Sequence, residues 1–503
     1  MALKCPRLVI AGLSGDSGKT VTSLSLLMAL RRRGLRLSVF KKGPDYIDAA
    51  WLSWASGTTC RNLDTYMVVA DGVLASFARA ATGSDIAVIE GNRGLFDGKD
   101  SEGTHSTASL ARLLNAPVVL VVNCTKTTRT IAAMIRGCQV FEPDLNLAGV
   151  ILNQVAGERH RRVITEAIER SCHLPVLGAL PRLDGDDALI PGRHLGLVTP
   201  SEFGEESGLS ERLSMLADNY LDIDRLIQIA QRAKPLATPG VKSASQTERT
   251  VRIGWFRDSV FTFYYPENLE ALESAGAQLV AISSLNDSTL PEIDALYIGG
   301  GFPETHAEQL SKNHALRDAV RTSVDAGLPV YAECGGLIFL CRELLCGERR
   351  YPMAGVFPID LCMHDKPAGH GYTEISIDRP NPFFEVGVTI RGHEFHYSGP
   401  TETLSDEHGC MSVTSGVGLG NKRDGLLYKN CLACYSHLHA SGVPTWAISL
   451  VCKAAEYRTT VQLCDQTEGR VPDYKDREGR GPVCELETIS QSGIEAQPLV
   501  LDC

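Results

Sequence analysis

The sequence predicts an α/β protein of two domains: a doubly wound, mostly parallel sheet in the first half, and a second α/β domain after it. Three observations predict this. Short apolar runs alternate with longer segments of helical period, and a Gly-rich turn joins the first run to a helix. The alternation then stops at a polar stretch near residue 240 and restarts beyond it. The length of 503 residues suits two large domains or three ordinary ones.

In chain order, RLVIAG, RLSVF, DIAVIEG, APVVLVVN, LAGVILN and LPVLGAL read as strands, with crossover helices between them. This first domain is placed at 1–233. KPLATPGVKSASQTER is polar, holds Pro, Gly and Ser, and lacks an apolar period, so 234–250 reads as a linker. VRIGWF, QLVAIS, DALYIGGG and LPVYAECGG open a second domain over 251–457, and shorter segments complete it. The remainder, 458–503, carries TEGRVPDYKDREGRGP, rich in charge, Gly and Pro, and reads as a tail.

Composition excludes several classes. Lys and Arg number 49 against 60 Asp and Glu, a net charge of -11, which is opposite to a general nucleic-acid or anionic-membrane binder. No run approaches the roughly 18 apolar residues of a membrane span. The start MALKCPRLVIAG lacks the apolar core and cleavage pattern of an export signal, so a cytoplasmic location is expected. The 16 Cys are then expected to be reduced, and Cys431 with Cys434 has CxxC spacing but no second pair, which argues against a structural metal there.

RLVIAGLSGDSGKT runs a strand into a Gly-rich turn and a helix, the context of a phosphate-binding loop. Backbone N–H groups of Gly12, Gly15, Asp16, Ser17 and Gly18 would surround phosphate oxygens of ATP, Lys19 would neutralise their charge, and the Thr20 hydroxyl would ligate Mg²⁺. The strict pattern wants Gly where Leu13 stands, so the loop is one residue longer. Further strand ends deliver Lys41, Lys42, Asp45 and Asp48, then Glu90 and Asp97, to the same sheet edge, where open α/β sheets bind ligands. Thr20, Asp45 and Glu90 are the candidates for Mg²⁺; Lys41, Asp45, Asp48 and Asp97 are those for substrate.

LPVYAECGGLIFL sets Cys334 between a strand and an apolar helix, the logic of a nucleophile elbow with sulfur in place of oxygen. The helix N-terminus is expected to lower the thiol pKa. The N–H of Gly335, with Gly300 and Gly301 of GGGFPE, would form an oxyanion hole. The thiolate needs a base, and His393, His396, His437 and His439 are all candidates.

GPDYID at Gly43–Asp48, EGNRGLFDG at Glu90–Gly98, GVILN at Gly149–Asn153 and RHLGL at Arg193–Leu197 resemble the cobyrinic acid a,c-diamide synthase family. The resemblance spans about residues 7–457. It implies a dethiobiotin-synthetase-like phosphate-loop domain, whose loop has the longer Gly spacing, and a class I glutamine-amidotransferase-like domain. It also implies that Asn153 contacts adenine, that His437 of Tyr435-Ser436-His437 is the base, and that RGHEFHYS and DSVFTFYYPENLEAL shape the interdomain site. Typical class I glutaminases carry Glu two residues after this His; here that position is His439, so the third member of the triad stays open.

The implied reaction is ATP- and glutamine-dependent amidation of the a and c acetates of cobyrinic acid in cobalamin synthesis. Hydrogenobyrinic acid and nickel sirohydrochlorin are alternative substrates, and a homodimer is expected. A switch ATPase of the positioning type, or a free cysteine hydrolase, would leave the pairing of phosphate loop and glutaminase elbow without a reason.

Overall fold

Strand β1 (Arg7–Gly12) is buried along its whole length in the computed structural model, which describes residues 2–183, 189, 192–193, 196–203, 208–239 and 250–466. Its side chains alternate between two cores. Val9 and Ala11 join one hydrophobic cluster and Leu8 and Ile10 the other, so helices cover both faces and the run is apolar throughout. The other strands are β2 (Leu37–Lys42), β3 (Arg61–Leu63), β4 (Ile86–Glu90), β5 (Val118–Asn123), β6 (Leu147–Val155) and β7 (Val176–Pro181). They form a seven-stranded parallel sheet in the order β3-β2-β4-β1-β5-β6-β7. Only β3, three residues at an edge, has no counterpart in the sequence reading. With β1 central, the loops leaving β1, β2 and β4 meet at one carboxyl edge.

The linker begins as structure: Leu236–Ala237 pairs antiparallel with Ala2–Leu3, while 240–249 lie outside the described residues. The second domain carries β8 (Val251–Phe256), β9 (Ala277–Ile282), β10 (Ala295–Ile298), β11 (Val330–Glu333), β12 (Gly369–Ile377), β13 (Thr389–His396), β14 (Gly409–Ser415), β15 (Arg423–Tyr428) and β16 (Cys431–Cys434). The order is β9-β8-β10-β11-β16-β15-β14-β12-β13, parallel up to β16 and antiparallel beyond. The last helix, Thr445–Gln466, passes residue 457, where the sequence reading begins the tail, and 467–503 lie outside the described residues. Among the described residues no helix is long and apolar enough to cross a membrane.

Candidate active site

The phosphate loop leaves β1 and enters the helix Lys19–Arg32, as its sequence requires. Gly18 has φ 93°, and a Cβ there would lie 2.0 Å from the Asn153 amide nitrogen, so both conformation and space demand glycine. Asn153 Nδ2 donates to the Ser17 carbonyl at 3.0 Å. The residue expected at adenine thus also braces the loop, with one N–H of its amide engaged and the second N–H and Oδ1 left over. Lys19 is buried and its Nζ donates back to the Ser14 carbonyl at 2.9 Å; burial and then Lys41 push its pKa down.

Lys41 is the hub of the neighbouring cluster. Its Nζ reaches Asp48 Oδ2 at 2.6 Å, Glu90 Oε1 at 2.8 Å and the Gly91 carbonyl at 3.2 Å. Burial alone would lower this ammonium, but Asp48, Glu90 and Asp45 hold it well above its ordinary value. The Thr20 hydroxyl donates to Glu90 Oε1 at 3.2 Å, so Thr20, Lys41, Asp48 and Glu90 form one cluster. Asp45 Oδ1 accepts from the Asp48 amide at 2.8 Å and caps the helix Tyr46–Ser56; burial and Asp48 raise its pKa. Asp97 lies apart and exposed, with Oδ2 accepting from the Gly94 amide at 2.8 Å. Of RHLGL, residues 194 and 195 lie outside the described residues.

The magnesium expectation is tested by Glu90. It is fully buried, and its Oε2 has no hydrogen-bond partner. A buried carboxylate oxygen left open beside a loop hydroxyl suits a cation that keeps waters and phosphate oxygens as its other ligands. Among the described residues no group of three or more His, Cys, Asp or Glu could hold a metal, which a site of two carboxylates, one hydroxyl and phosphate oxygens does not need.

In the second domain Cys334 ends β11 with φ 48° and ψ −98°, and Gly335–Leu340 follows as helix. Such a backbone costs free energy in a non-glycine residue and lifts the side chain off the sheet edge. The expected lowering of the thiol pKa is not what the structure shows. Burial and then Glu304 hold the Cys334 thiol well above its ordinary value, against which the Gly335 amide acts more weakly. The helix is six residues long and the Cys334 side chain is buried, so desolvation of the thiolate outweighs the dipole.

His437 follows β16, the strand paired with β11. A Cβ on Gly300 would fall 2.5 Å from His437 Cε1, and one on Gly335 would fall 3.0 Å from the Gly301 nitrogen. The imidazole, the elbow and the Gly-rich turn therefore converge, and only glycine lets His437 come so close. His393 stacks on His437 with ring centres 4.9 Å apart, and the two exchange backbone hydrogen bonds. His396 instead faces Glu394 at 3.5 Å and stacks on Tyr435.

The structure adds Glu333, which the sequence reading missed. Its Oε2 lies 3.4 Å from His437 Nδ1, both side chains being buried. Tyr297 donates to Oε2 at 3.2 Å, while Tyr331 and the Leu438 amide donate to Oε1 at 3.2 and 3.1 Å. The signal was a carboxylate inside an otherwise apolar strand, one residue before the nucleophile. His439 turns away to Glu267 Oε2 at 3.6 Å.

The domains meet over Tyr46 of GPDYID. Its ring stacks on Phe263 and Tyr265 with centres 5.0 and 4.5 Å apart and lies 5.3 Å from the His437 ring. Tyr265 donates to the Pro44 carbonyl at 3.0 Å. Beside this contact a cavity of about 670 Å³ is walled by Asp45, Tyr46 and Asp97 of one domain and Gly301, His393 and His437 of the other.

Comparison with known proteins agrees with this division. Residues 8–194 match the CobQ/CobB/MinD/ParA nucleotide binding domain, and 252–444 the CobB/CobQ-like glutamine amidotransferase domain. The chain is 44% identical over 453 residues to the cobyrinate a,c-diamide synthase of Magnetococcus marinus, covering 89% of this chain and 97% of that one. The enzyme of that name from Archaeoglobus fulgidus is 41% identical, with 87% and 95% covered, and that of Syntrophotalea carbinolica 46%, with 79% and 86% covered. With both domains matched and relatives aligned along nearly their whole length, the chain belongs to the cobyrinate a,c-diamide synthase family of glutamine-dependent amide-forming ligases.

Proposed function

We propose that the chain converts cobyrinic acid to its a,c-diamide in cobalamin synthesis, through acyl phosphates formed with ATP and with ammonia released from glutamine. The observation that supports this best is the shared cavity, bordered by His437 of the glutaminase half and Asp45 of the nucleotide half. A carboxylate resists ammonia because oxide is a poor leaving group. Its attack on the γ-phosphorus of ATP gives an acyl phosphate, whose phosphate leaves readily. The loop amides and Lys19 hold the phosphates, and Asp45 and Asp48 position the acetate. Thr20, Glu90 and Asp45 would hold Mg²⁺, which neutralises charge on the phosphate oxygens.

In the other half Cys334 attacks the glutamine amide. His437 takes the thiol proton and returns it to the departing nitrogen, so that ammonia leaves and a γ-glutamyl thioester remains for water to hydrolyse. Gly301 and Gly335 amides face the oxyanion. Glu333 positions His437: its carboxylate facing Nδ1 directs Nε2 to the sulfur and stabilises the imidazolium. Ammonia crosses beside Tyr46 to the acyl phosphate.

The test is mass spectrometry of cobyrinic acid after incubation with the protein, Mg²⁺-ATP and glutamine labelled with ¹⁵N in its amide. Labelled a,c-diamide is expected. Unlabelled substrate, with ATP and glutamine still consumed, would move the assignment to hydrogenobyrinic acid or nickel sirohydrochlorin.

A further inference from the structure

Lys41 and Lys42 are neighbours on β2, so their side chains leave opposite faces of the strand. Lys41 is matched by Asp48 and Glu90. Lys42 is 6% exposed, lines the interdomain cavity, and its ammonium has no hydrogen bond or ion pair among the described residues. Burial accordingly pushes its pKa down. The carboxylate that acts on it most, Asp64, is engaged elsewhere: Oδ2 accepts from Tyr372 at 2.7 Å, and Oδ1 from the Tyr66 and Met67 amides at 2.8 and 2.9 Å.

Each acidic group of the same cavity already accepts at least one backbone amide. Glu394 accepts from the Val417 and Gly418 amides at 2.7 and 2.9 Å, Asp97 from Gly94, and Asp45 from Asp48. Arg93, with φ 51°, also lines the cavity and makes no ion pair among the described residues. The cavity wall thus holds two cations, Lys42 and Arg93, to which no carboxylate of the described residues is paired. An ammonium on a largely buried side chain with no protein partner is poorly compensated in the folded chain, and a ligand carboxylate supplies the missing counter-charge.

We propose that Lys42, with Arg93 beside it, is the anchor for a carboxylate of the polyanionic substrate that is not the one being amidated. This rests on the functional reading above and deepens it. A tetrapyrrole carrying several acetate and propionate arms is held by one arm while another is presented to Asp45 and Asp48, and Lys42 sets which arm that is.

Mellitate, a benzene ring with a carboxylate on every carbon, serves as an unreactive probe. Calorimetry on the full chain is expected to show mellitate binding to wild type, about tenfold or greater weakening in Lys42→Met, and recovery to within a few-fold in Lys42→Arg. Melting temperatures of the variants report folding. For cobyrinic acid the same substitution raises KM by a similar factor and changes the ratio of a- to c-monoamide intermediates. Equal mellitate affinity in wild type and Lys42→Met, or none in wild type, overturns the anchor. Wild type that binds mellitate through Lys42 but does not amidate cobyrinic acid leaves the anchor standing and sinks the substrate assignment instead.

Discussion

The two candidate sites each contain a fully buried glutamate, and the two glutamates are partnered in opposite ways. Glu90 keeps one oxygen without a partner, next to the phosphate loop. Glu333 has both oxygens engaged, by two tyrosines and an amide, before it meets His437. On the proposed reading, the open carboxylate receives the cation that comes with ATP. A closed one is prepared to hold a resident imidazole still. The difference teaches that the first half leaves a buried charge open, whereas the second closes its buried charge in hydrogen bonds beside an imidazole.

The largest expected effects separate the halves. Lys19→Ala should abolish amidation with either nitrogen source. Cys334→Ala should lower glutamine-dependent amidation by on the order of 10³-fold or more and leave ammonia-dependent amidation in place. Rates measured with glutamine and with ammonium salt check both, and loss of both activities in Cys334→Ala would collapse the distinction. Next comes Glu333→Gln, which preserves shape, removes the charge facing His437 and turns one of the two acceptors into a donor. It should cost about 10²-fold in glutamine-dependent kcat and nothing with ammonia. An unchanged glutamine rate would show that Glu333 is only a packed core group.

How much of this was legible follows from whether the residues are contiguous. The loop Gly12–Thr20 is a local structure, so its residues predicted both strand and helix, and the structure places them accordingly. The elbow at Cys334 was legible for the same reason. The partner of His437 was not, because Glu333 reaches it across paired strands more than a hundred residues apart in sequence, through the β11–β16 register. The thiol pKa was misjudged because a local cue, the helix N-terminus, was weighed without burial, which only the fold reveals. Lys42 was likewise just one of two adjacent lysines until the strand sent them to opposite faces.

The raised pKa of Cys334 gives a smaller, directional prediction. A thiol above its ordinary value is neutral at pH 7, and its thiolate fraction grows about tenfold per pH unit below that value. Alkylation of Cys334 by iodoacetamide without glutamine should therefore keep climbing from pH 7 to 9 at about that slope. A plateau near neutrality would mean that the resting site already holds a thiolate, and would remove the contrast between the halves.

The smallest effect concerns what joins the halves. Arg61 on β3 pairs with Glu267 at 3.1 Å and with Glu270, both of the helix Pro266–Ser274 in the second domain. Burial would raise the Glu267 carboxyl, but His439, Arg61 and Ser76 hold it down at about 2, against an ordinary 4.5. A depressed carboxylate contributes stability that is complete above pH 4.5 and lost as pH falls toward 2. Arg61→Met should therefore lower stability at pH 7 by about 2 kcal/mol and flatten the acid limb of the melting-temperature profile. Because His439 lies two residues from His437 and faces the same Glu267, the substitution also loosens the imidazole loop. Glutamine turnover should fall a few-fold more than ammonia turnover, whereas an equal fall in both would mean that this ion cluster holds the domains together without reaching the glutaminase centre.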